Sequence, residues 1–465
     1  MSKLHPGSRW LRVVSLAWVI GALAAPADAQ TLRDSAQIAV KTNPRVDVVT
    51  YNRQAVEQEL ARARGQYLPQ VDLRAGIGPE GSDNNTTRAR RNGDNWAFRT
   101  RRESGLFLTQ RLFDGWETDN EVERQKARGE SASRRVGETS EIVALDAIEA
   151  HIDVLRQREL LRLTEQNLAV HRRILARVRQ RVGQGASPDA DAQQARARLE
   201  AANATMIETK GALEDAENRY EFVVNRRPGQ LGPAEYPREL VGRASSLEGA
   251  VERSRRQNRT VKITESDVTV AEREIEVADA PFYPRLNLEV GATRNRDIDG
   301  ARGDDNDVSA LVVMRWNLYR GGSDIAQRRV ALGRMSQAMS QRQVATRAAE
   351  EEARRSWVQF WTASDRIPPL SNAVQQNRAV RNAYNEQFFN QGQRSLIDVL
   401  NAENELFIAM GRLVSAEQTK VFAAYRLLAA MGDLVDVLGL EMVVEADATK
   451  AAPVPSDPRP GKKRQ

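Results

Sequence analysis

The sequence predicts an internally duplicated α+β membrane protein. Each chain supplies four β-strands to a trimeric twelve-stranded β-barrel, and long α-helices continue that barrel as a coiled-coil barrel. Three observations predict this fold. No stretch of about 18 apolar residues follows the first 29 positions, so a membrane crossing falls to β-strands. Two pairs of strand-length segments occur, the outgoing ones with apolar and polar residues in alternation. A long run, 116–182, carries helical apolar spacing with few glycines, and 323–389 is its counterpart in the second half of the chain.

The elements follow in order. Lys3, Arg9 and Arg12 precede an apolar run from Val13 to Ala25, then Ala27-Asp28-Ala29. This is the layout of a secretory signal peptide, residues 1–29, and its apolar run is too short for a permanent span. The mature chain is therefore expected outside the cytoplasm. The formal charge of +6 includes three basic residues and one acidic residue in the leader, which leaves +4 on the remainder. Charges of both signs are interleaved, which describes a solvated surface and gives no basic patch for nucleic acid. Cysteine is absent. Packing or oligomerisation must replace disulfides, and no thiol is available for a lipid anchor.

The chain writes one pattern twice, in repeats 30–240 and 241–440. Tyr67-Leu68-Pro69-Gln70-Val71-Asp72-Leu73 matches Phe282-Tyr283-Pro284-Arg285-Leu286-Asn287-Leu288, 215 positions later. Leu112-Phe113-Asp114-Gly115 matches Leu318-Tyr319-Arg320-Gly321, and Gly185 with Asp191 matches Gly392 with Asp398. Each repeat orders a helix, a strand, a loop, a strand, a very long helix, a turn and a second long helix. Val71, Leu73, Ala75 and Ile77 alternate with polar residues, as do Leu286, Leu288, Val290 and Ala292. The returning strands are expected near 105–113 and 308–318, giving strands of about 9–10 residues, the length that crosses a bilayer at a tilt. Tyr67, Phe282 and Tyr283 open the outgoing strands, and Phe113, Trp116, Trp316 and Tyr319 close the returning ones. Antiparallel pairing puts these rings at one level, as an aromatic belt at a membrane interface. The hairpin loops, 79–102 and 295–307, are polar and are expected to face solvent. The final segment, 441–465, reads as a disordered tail, rich in Pro and Lys from Ala451 onward.

Four strands cannot close. An open sheet leaves peptide groups bare in hydrocarbon at several kcal/mol each, so other copies must complete the ring. Eight strands give a barrel filled by its own side chains, and twelve leave a lumen. A run from Trp116 to Val182, at about 1.5 Å per residue, extends roughly 100 Å. In the second repeat Pro368-Pro369 should interrupt or kink the corresponding helix.

These residues together resemble the TolC family of outer-membrane efflux and secretion proteins, from about Leu32 to Gly432. The resemblance includes Asn43-Pro44, the Leu68-Pro69 and Tyr283-Pro284 strand entries, and Leu112-Phe113-Asp114-Gly115. It is most specific at the two helix–helix turns. One reads Gly185-Ala186-Ser187-Pro188-Asp189-Ala190-Asp191, and the other Gly392-Gln393-Arg394-Ser395-Leu396-Ile397-Asp398-Val399-Leu400. It implies a homotrimer in outer-membrane lipid with a periplasmic tunnel closed at its inner end. Asp398 would line that constriction, with Arg394 and Asp191 as its cation and acidic partner. Asn401 stands where the family has a second aspartate, Phe389 where it has a tyrosine, and Glu417 where it has a basic residue. The turn tips, Gly185, Ser187, Gly392 and Ser395, would meet a periplasmic adaptor. An inner-membrane ABC or proton-driven transporter would supply the driving force. The glycines and the Ser187, Pro188 and Ser395 positions also suit turns and helix starts in their own right.

Catalytic patterns are missing. His151 and His171 lie twenty residues apart on one helix, about 30 Å, too far to share a metal. No phosphate loop and no serine–base–acid grouping is legible, and no cofactor is expected. The residues favour a passive exit duct, with polypeptide cargo of a type I secretion system ahead of small-molecule efflux and of a non-conducting scaffold.

Overall fold

The computed structural model describes residues 29–90, 96–238 and 240–450. The expected leader, apart from Ala29, and the expected tail from 451 onward lie outside the described residues. In chain order, α1 (Leu32–Thr42) and α2 (Pro44–Gly65) lead into β1 (Gln70–Ser82), and α3 (Asn85–Arg90) sits in the first hairpin loop. β2 (Ala97–Phe113) returns to α4 (Glu117–Gly183) and α5 (Asp189–Val224). After the short α6 (Leu240–Arg243), the second repeat runs α7 (Leu247–Gln257), α8 (Arg259–Asp279), β3 (Arg285–Arg296), β4 (Asp304–Arg315), α9 (Ser323–Glu386) and α10 (Leu396–Met431), followed by α11 (Leu434–Leu438).

The duplication reaches the backbone. Asn43 and Asn258 cap α2 and α8, accepting from Arg45 N and Thr260 N, each at 3.0 Å. Trp116 and Gly322 are both left-handed at the starts of α4 and α9, with φ of 61° and 82°. Asn225 and Gly432 are both left-handed just past α5 and α10. A left-handed residue after a helix lets its N–H reach a terminal carbonyl, and glycine or asparagine adopts it with least strain.

The four strands form one antiparallel sheet in the order β1-β2-β3-β4, so the two hairpins pair through β2 and β3. The strands have 13, 17, 12 and 12 residues, longer than expected. Positions 79–82, 97–102, 295–296 and 304–307, assigned to loops on polarity, belong to strands. Backbone pairing is indifferent to side-chain polarity, and Arg101 between Glu80 and Glu103 satisfies the charges there. Residues 316–318 lie beyond β4. One sheet face presents Val71, Leu73, Leu106, Val308 and Val312, all exposed in the single chain. The other carries Asp72, Arg74, Glu103, Glu289 and Asp307. Phe107 shares this polar face and lies over Gly105 and Gly291, within 3.3 Å of where their Cβ atoms would be. β1 and β4 are edges with no partner on their outer sides among the described residues.

α4 has 67 residues, about 100 Å, as the spacing implied. α9 departs from expectation, because Pro368 and Pro369 lie inside one continuous helix. Each proline deletes a single N–H, leaving the Ser364 and Asp365 carbonyls without their usual partner. Bonds on either side and packing of Val374 against Leu406 and Ala409 on α10 keep the helix intact. The main core is a belt where Leu32, Val40, Ile148, Phe360, Leu427, Leu428, Met431 and Leu434 meet. The expected disordered tail begins too early at 441. Residues 441–450 fold back on the belt, where Lys41 pairs with Glu441 at 2.7 Å and Gln54 donates to the buried Glu445 carboxylate at 2.8 Å.

Gly432 ends α10 with φ of 76°, and a Cβ there would lie 2.4 Å from the Gln257 carbonyl oxygen. Gly432→Ala combines backbone strain with that clash and should cost about 3 kcal/mol. A thermal melt of the detergent-solubilised protein checks this, since the variant should unfold several degrees below the parent.

Candidate functional site

The two helix–helix turns come together at one end of the molecule. Ile174, Leu175 and Val178 of α4 pack with Ala195, Phe388, Leu396, Val399 and Leu400. Gly185 and Gly392 both take positive φ, 70° and 67°, with open space where a Cβ would project. Before Gly392, residues Gln387–Gln391 widen into a π-turn. Ser395 caps α10 in a reciprocal box with Asp398: its hydroxyl donates to the carboxylate at 2.9 Å and accepts from Asp398 N at 3.3 Å. Ser187 does not cap α5, because Pro188 occupies that position. Its hydroxyl accepts from Arg181 instead, at 3.3 Å.

Within one chain the charged residues named for a constriction lie as follows. Arg394 lies 3.9 Å from Asp398, donates to Gln387 at 3.1 Å and stacks over the Tyr384 ring. Asp191 sits in the first turn of α5, where it complements the helix dipole, and within one chain it makes no ion pair with Arg394. The two coils are joined by Arg198 donating to Asn401 at 3.3 Å. They are joined more firmly by two residues that sequence reasoning missed. Arg181 donates to the Phe388 and Phe389 carbonyls, each at 3.2 Å, and to the Ala186 carbonyl across its own turn. Arg177 stacks on the Phe389 ring at 3.7 Å, a cation–π contact that occupies the face of the ring. The Phe388 and Phe389 partners of both arginines lie about 200 residues away, so nothing local in the sequence marked them.

About two turns inward lies a buried polar cluster, also unforeseen. Glu403 is buried on α10 and accepts from Asn385 at 3.0 Å and Arg381 at 3.5 Å. His171 of α4 is buried against this group, and its Nδ1 has no hydrogen-bond partner. Burial holds its imidazole below the ordinary value. Glu403 acts in the opposite sense, and Arg198 reinforces the depression.

At the other end, Trp116 stands edge-on to both Phe113 and Tyr283, with centroids 5.1 and 5.2 Å apart. Tyr67 donates to Asp119 at 2.6 Å, and the Trp316 indole donates to the Phe282 carbonyl at 3.3 Å. Tyr319 is almost fully exposed. The aromatic residues thus meet where strands give way to helices. A serine–histidine contact does exist in the belt: Ser35 Oγ lies 2.8 Å from His151 Nδ1. Both are fully buried, and His151 Nε2 faces the Gly232 carbonyl at 3.0 Å, which makes Nδ1 the acceptor. With Tyr220 against the same hydroxyl at 2.9 Å, the three side chains form a fully buried hydrogen-bonded network. Among the described residues no group of three or more His, Cys, Asp or Glu side chains could hold a metal.

With this geometry in view, the profile of outer membrane efflux proteins matches residues 36–225 and 250–433, one stretch in each repeat. Outer membrane efflux protein BepC of Brucella suis is 27% identical over 347 residues, covering 74% of this chain and 75% of its own length. Alkaline protease secretion protein AprF of Pseudomonas aeruginosa is 24% identical over 457 residues, 92% of this chain and 90% of its own. The crystal structure of the outer membrane protein VceC from Vibrio cholerae superposes with a TM-score of 0.70 at 16% identity, covering 86% of this chain and 96% of that one.

Because burial disfavours protonated His151 and His171, the unfolded chain takes up protons near the ordinary value of 6.5 that the folded chain refuses. The contribution of these two groups is therefore complete above that value and declines as pH falls below it. The buried Glu141 carboxyl, pushed up to about 7, acts in the opposite sense over the same range, so the histidine effect is read as a difference. Between pH 7.5 and 5.5 the change in Tm should be less unfavourable in His171→Leu than in the parent. Equal changes in the two proteins would remove His171 from the account.

Proposed function

The chain belongs to the outer membrane efflux protein family, and on that premise we propose that it is the exit duct of a tripartite export system, most directly of type I protein secretion. It is an outer-membrane protein whose four strands are one third of a twelve-stranded barrel. One observation carries the duct reading. A sheet with an apolar outer face and two unpaired edges passes, through the aromatic level, directly into helices about 100 Å long. Hydrocarbon obliges the edges to pair, and three copies give a ring wide enough for a lumen lined by the polar face. The helices of the same three chains then continue that lumen away from the membrane.

In this reading the packed tips form the closed end. A threefold axis would bring three Asp398 carboxylates together as a cation-binding ring, with Arg394 beside each one. Arg181 and Arg177 hold the α4 tip to the Phe388–Phe389 turn, and release of those contacts would let the tips part. Asp191, Phe389 and Asn401 would flank this constriction. The tips at Gly185, Ser187, Gly392 and Ser395, exposed except for the half-buried Ser187, would dock a periplasmic adaptor, which links the duct to an inner-membrane transporter. Protein cargo is supported by similarity along nearly the whole chain to a protein named for protease secretion. Small-molecule efflux is a second reading, favoured by the similarity to BepC, which is named for efflux. Deleting the gene in its host separates the two: loss of a secreted polypeptide supports the first, and unchanged secretion with increased drug sensitivity supports the second.

Single-channel recording in planar bilayers tests the duct itself, and a protein that inserts as a trimer without conducting would sink it. Asp398→Asn keeps a hydrogen-bonding cap while removing the charge, so it should weaken blockade by multivalent cations about tenfold without unfolding the tip. Arg181→Ala removes its bonds to three carbonyls and to Ser187, and should raise the open fraction of the recorded channel. Unchanged currents would show that the tip contacts do not restrain it.

A further inference from the structure

We propose that Arg102, Arg294 and Arg296 form a site on the lipid-facing surface of the barrel for the phosphate groups of a phosphorylated glycolipid in the outer leaflet. The inference rests on the channel reading above. Cross-strand register places Arg102 on β2 directly opposite Arg296 on β3, and Ser104 opposite Arg294. Successive strand residues alternate sides, so Arg102 shares its side with Leu106 and Leu108, and Arg294 and Arg296 share theirs with Val290 and Ala292. That is the apolar side. All three arginines are exposed.

Their level is fixed by the strands. Arg294 lies eleven residues past Tyr283, and Arg102 eleven residues before Phe113. At about 3.3 Å per residue and a tilt of about 40°, that is roughly 28 Å above the aromatic level, against a hydrocarbon band about 25 Å tall. The guanidinium groups therefore emerge where the far headgroups begin.

Their electrostatics call for an anion. Residues directly opposite on antiparallel strands have Cα atoms about 5 Å apart, and like charges in that arrangement repel. Arg102 and Arg294 have no carboxylate at ion-pair distance among the described residues. Arg296 reaches Asp304 at 3.8 Å, with both side chains more than half exposed. On the other face Arg74 also meets no carboxylate among the described residues and lies over the Phe107 ring, but two further arginines there are paired. Arg101 meets Glu103 at 2.6 Å and Glu80 at 3.7 Å, and Arg315 meets Glu289 at 2.8 Å. Carboxylates balance these arginines toward the lumen, whereas the trio on the lipid side is left with a net positive charge. A planar guanidinium fork matches phosphate oxygens in pairs, and a headgroup bearing more than one phosphate could bridge the trio. Further out on the same side, Phe98 stacks with Trp96 at 6.2 Å between centroids, a broad ring surface for a sugar to rest on.

The test compares the full trimer, extracted from outer membranes, with the Arg102→Gln/Arg294→Gln/Arg296→Gln variant. Glycolipid retained per trimer after detergent exchange is counted by mass spectrometry. The variant should retain about fivefold less, and delipidated parent trimer should take up bisphosphorylated glycolipid about fivefold better than its dephosphorylated form. Equal retention, equal uptake of the two forms, or equal uptake of phosphatidylglycerol would each overturn the proposal. If the triple variant does not assemble, the two uptake comparisons on the parent decide it alone. Conductance of the same preparations is read separately: a conducting parent without phosphate preference overturns this site and leaves the duct standing.

Discussion

The fold is governed by the two unsatisfied edges of a four-stranded sheet. β1 and β4 each present a row of peptide groups with no partner among the described residues of their own chain, and hydrocarbon supplies none. Every larger feature follows from meeting that demand with neighbouring copies. The ring that results puts the apolar side chains outward and the polar ones inward. It also fixes where the helices start, because each long helix departs from the base of a returning strand. Assembly is then part of folding, since a single chain has no stable way to sit in the membrane.

The junction from strand to helix shows how two copies of one design diverge under a common constraint. Both repeats need two consecutive left-handed residues there, Gly115-Trp116 in the first and Gly321-Gly322 in the second. Gly115 has no alternative, because a Cβ would strike the Ala280 carbonyl and Tyr283. Trp116 holds the strained conformation by lodging its ring between Phe113 and Tyr283. A conformational cost in one repeat is thus offset by aromatic packing against the other.

Much of this was legible in the residues. Period-two alternation in Val71–Ile77 and Leu286–Ala292 fixed the outgoing strands, and three–four spacing fixed α4 almost to the residue. Polarity misled where the ladder outran the apolar band, at 97–102 and 304–307, because charged residues pair across strands as readily as apolar ones. Proline misled at 368–369, where packing against α10 outweighs two missing hydrogen bonds. At the tips, Ser395 and Gly392 were readable from local chemistry. Arg177, Arg181 and the Glu403 cluster were not, because their partners lie about 200 residues away for the arginines and on a second helix for Glu403. Long-range polar contacts leave no periodic trace in one sequence.

The paired prolines give α9 an uneven stiffness. A helix resists bending through its ladder of axial bonds, and here two adjacent rungs are absent on a rod that is otherwise complete. Elastic rods flex first at their weakest section. For α9 that section lies about 25–30 Å from the tip, so strain applied at Phe388 and Phe389 is absorbed there before it reaches the belt. The far end can swing as a short lever while the membrane-embedded ring stays still.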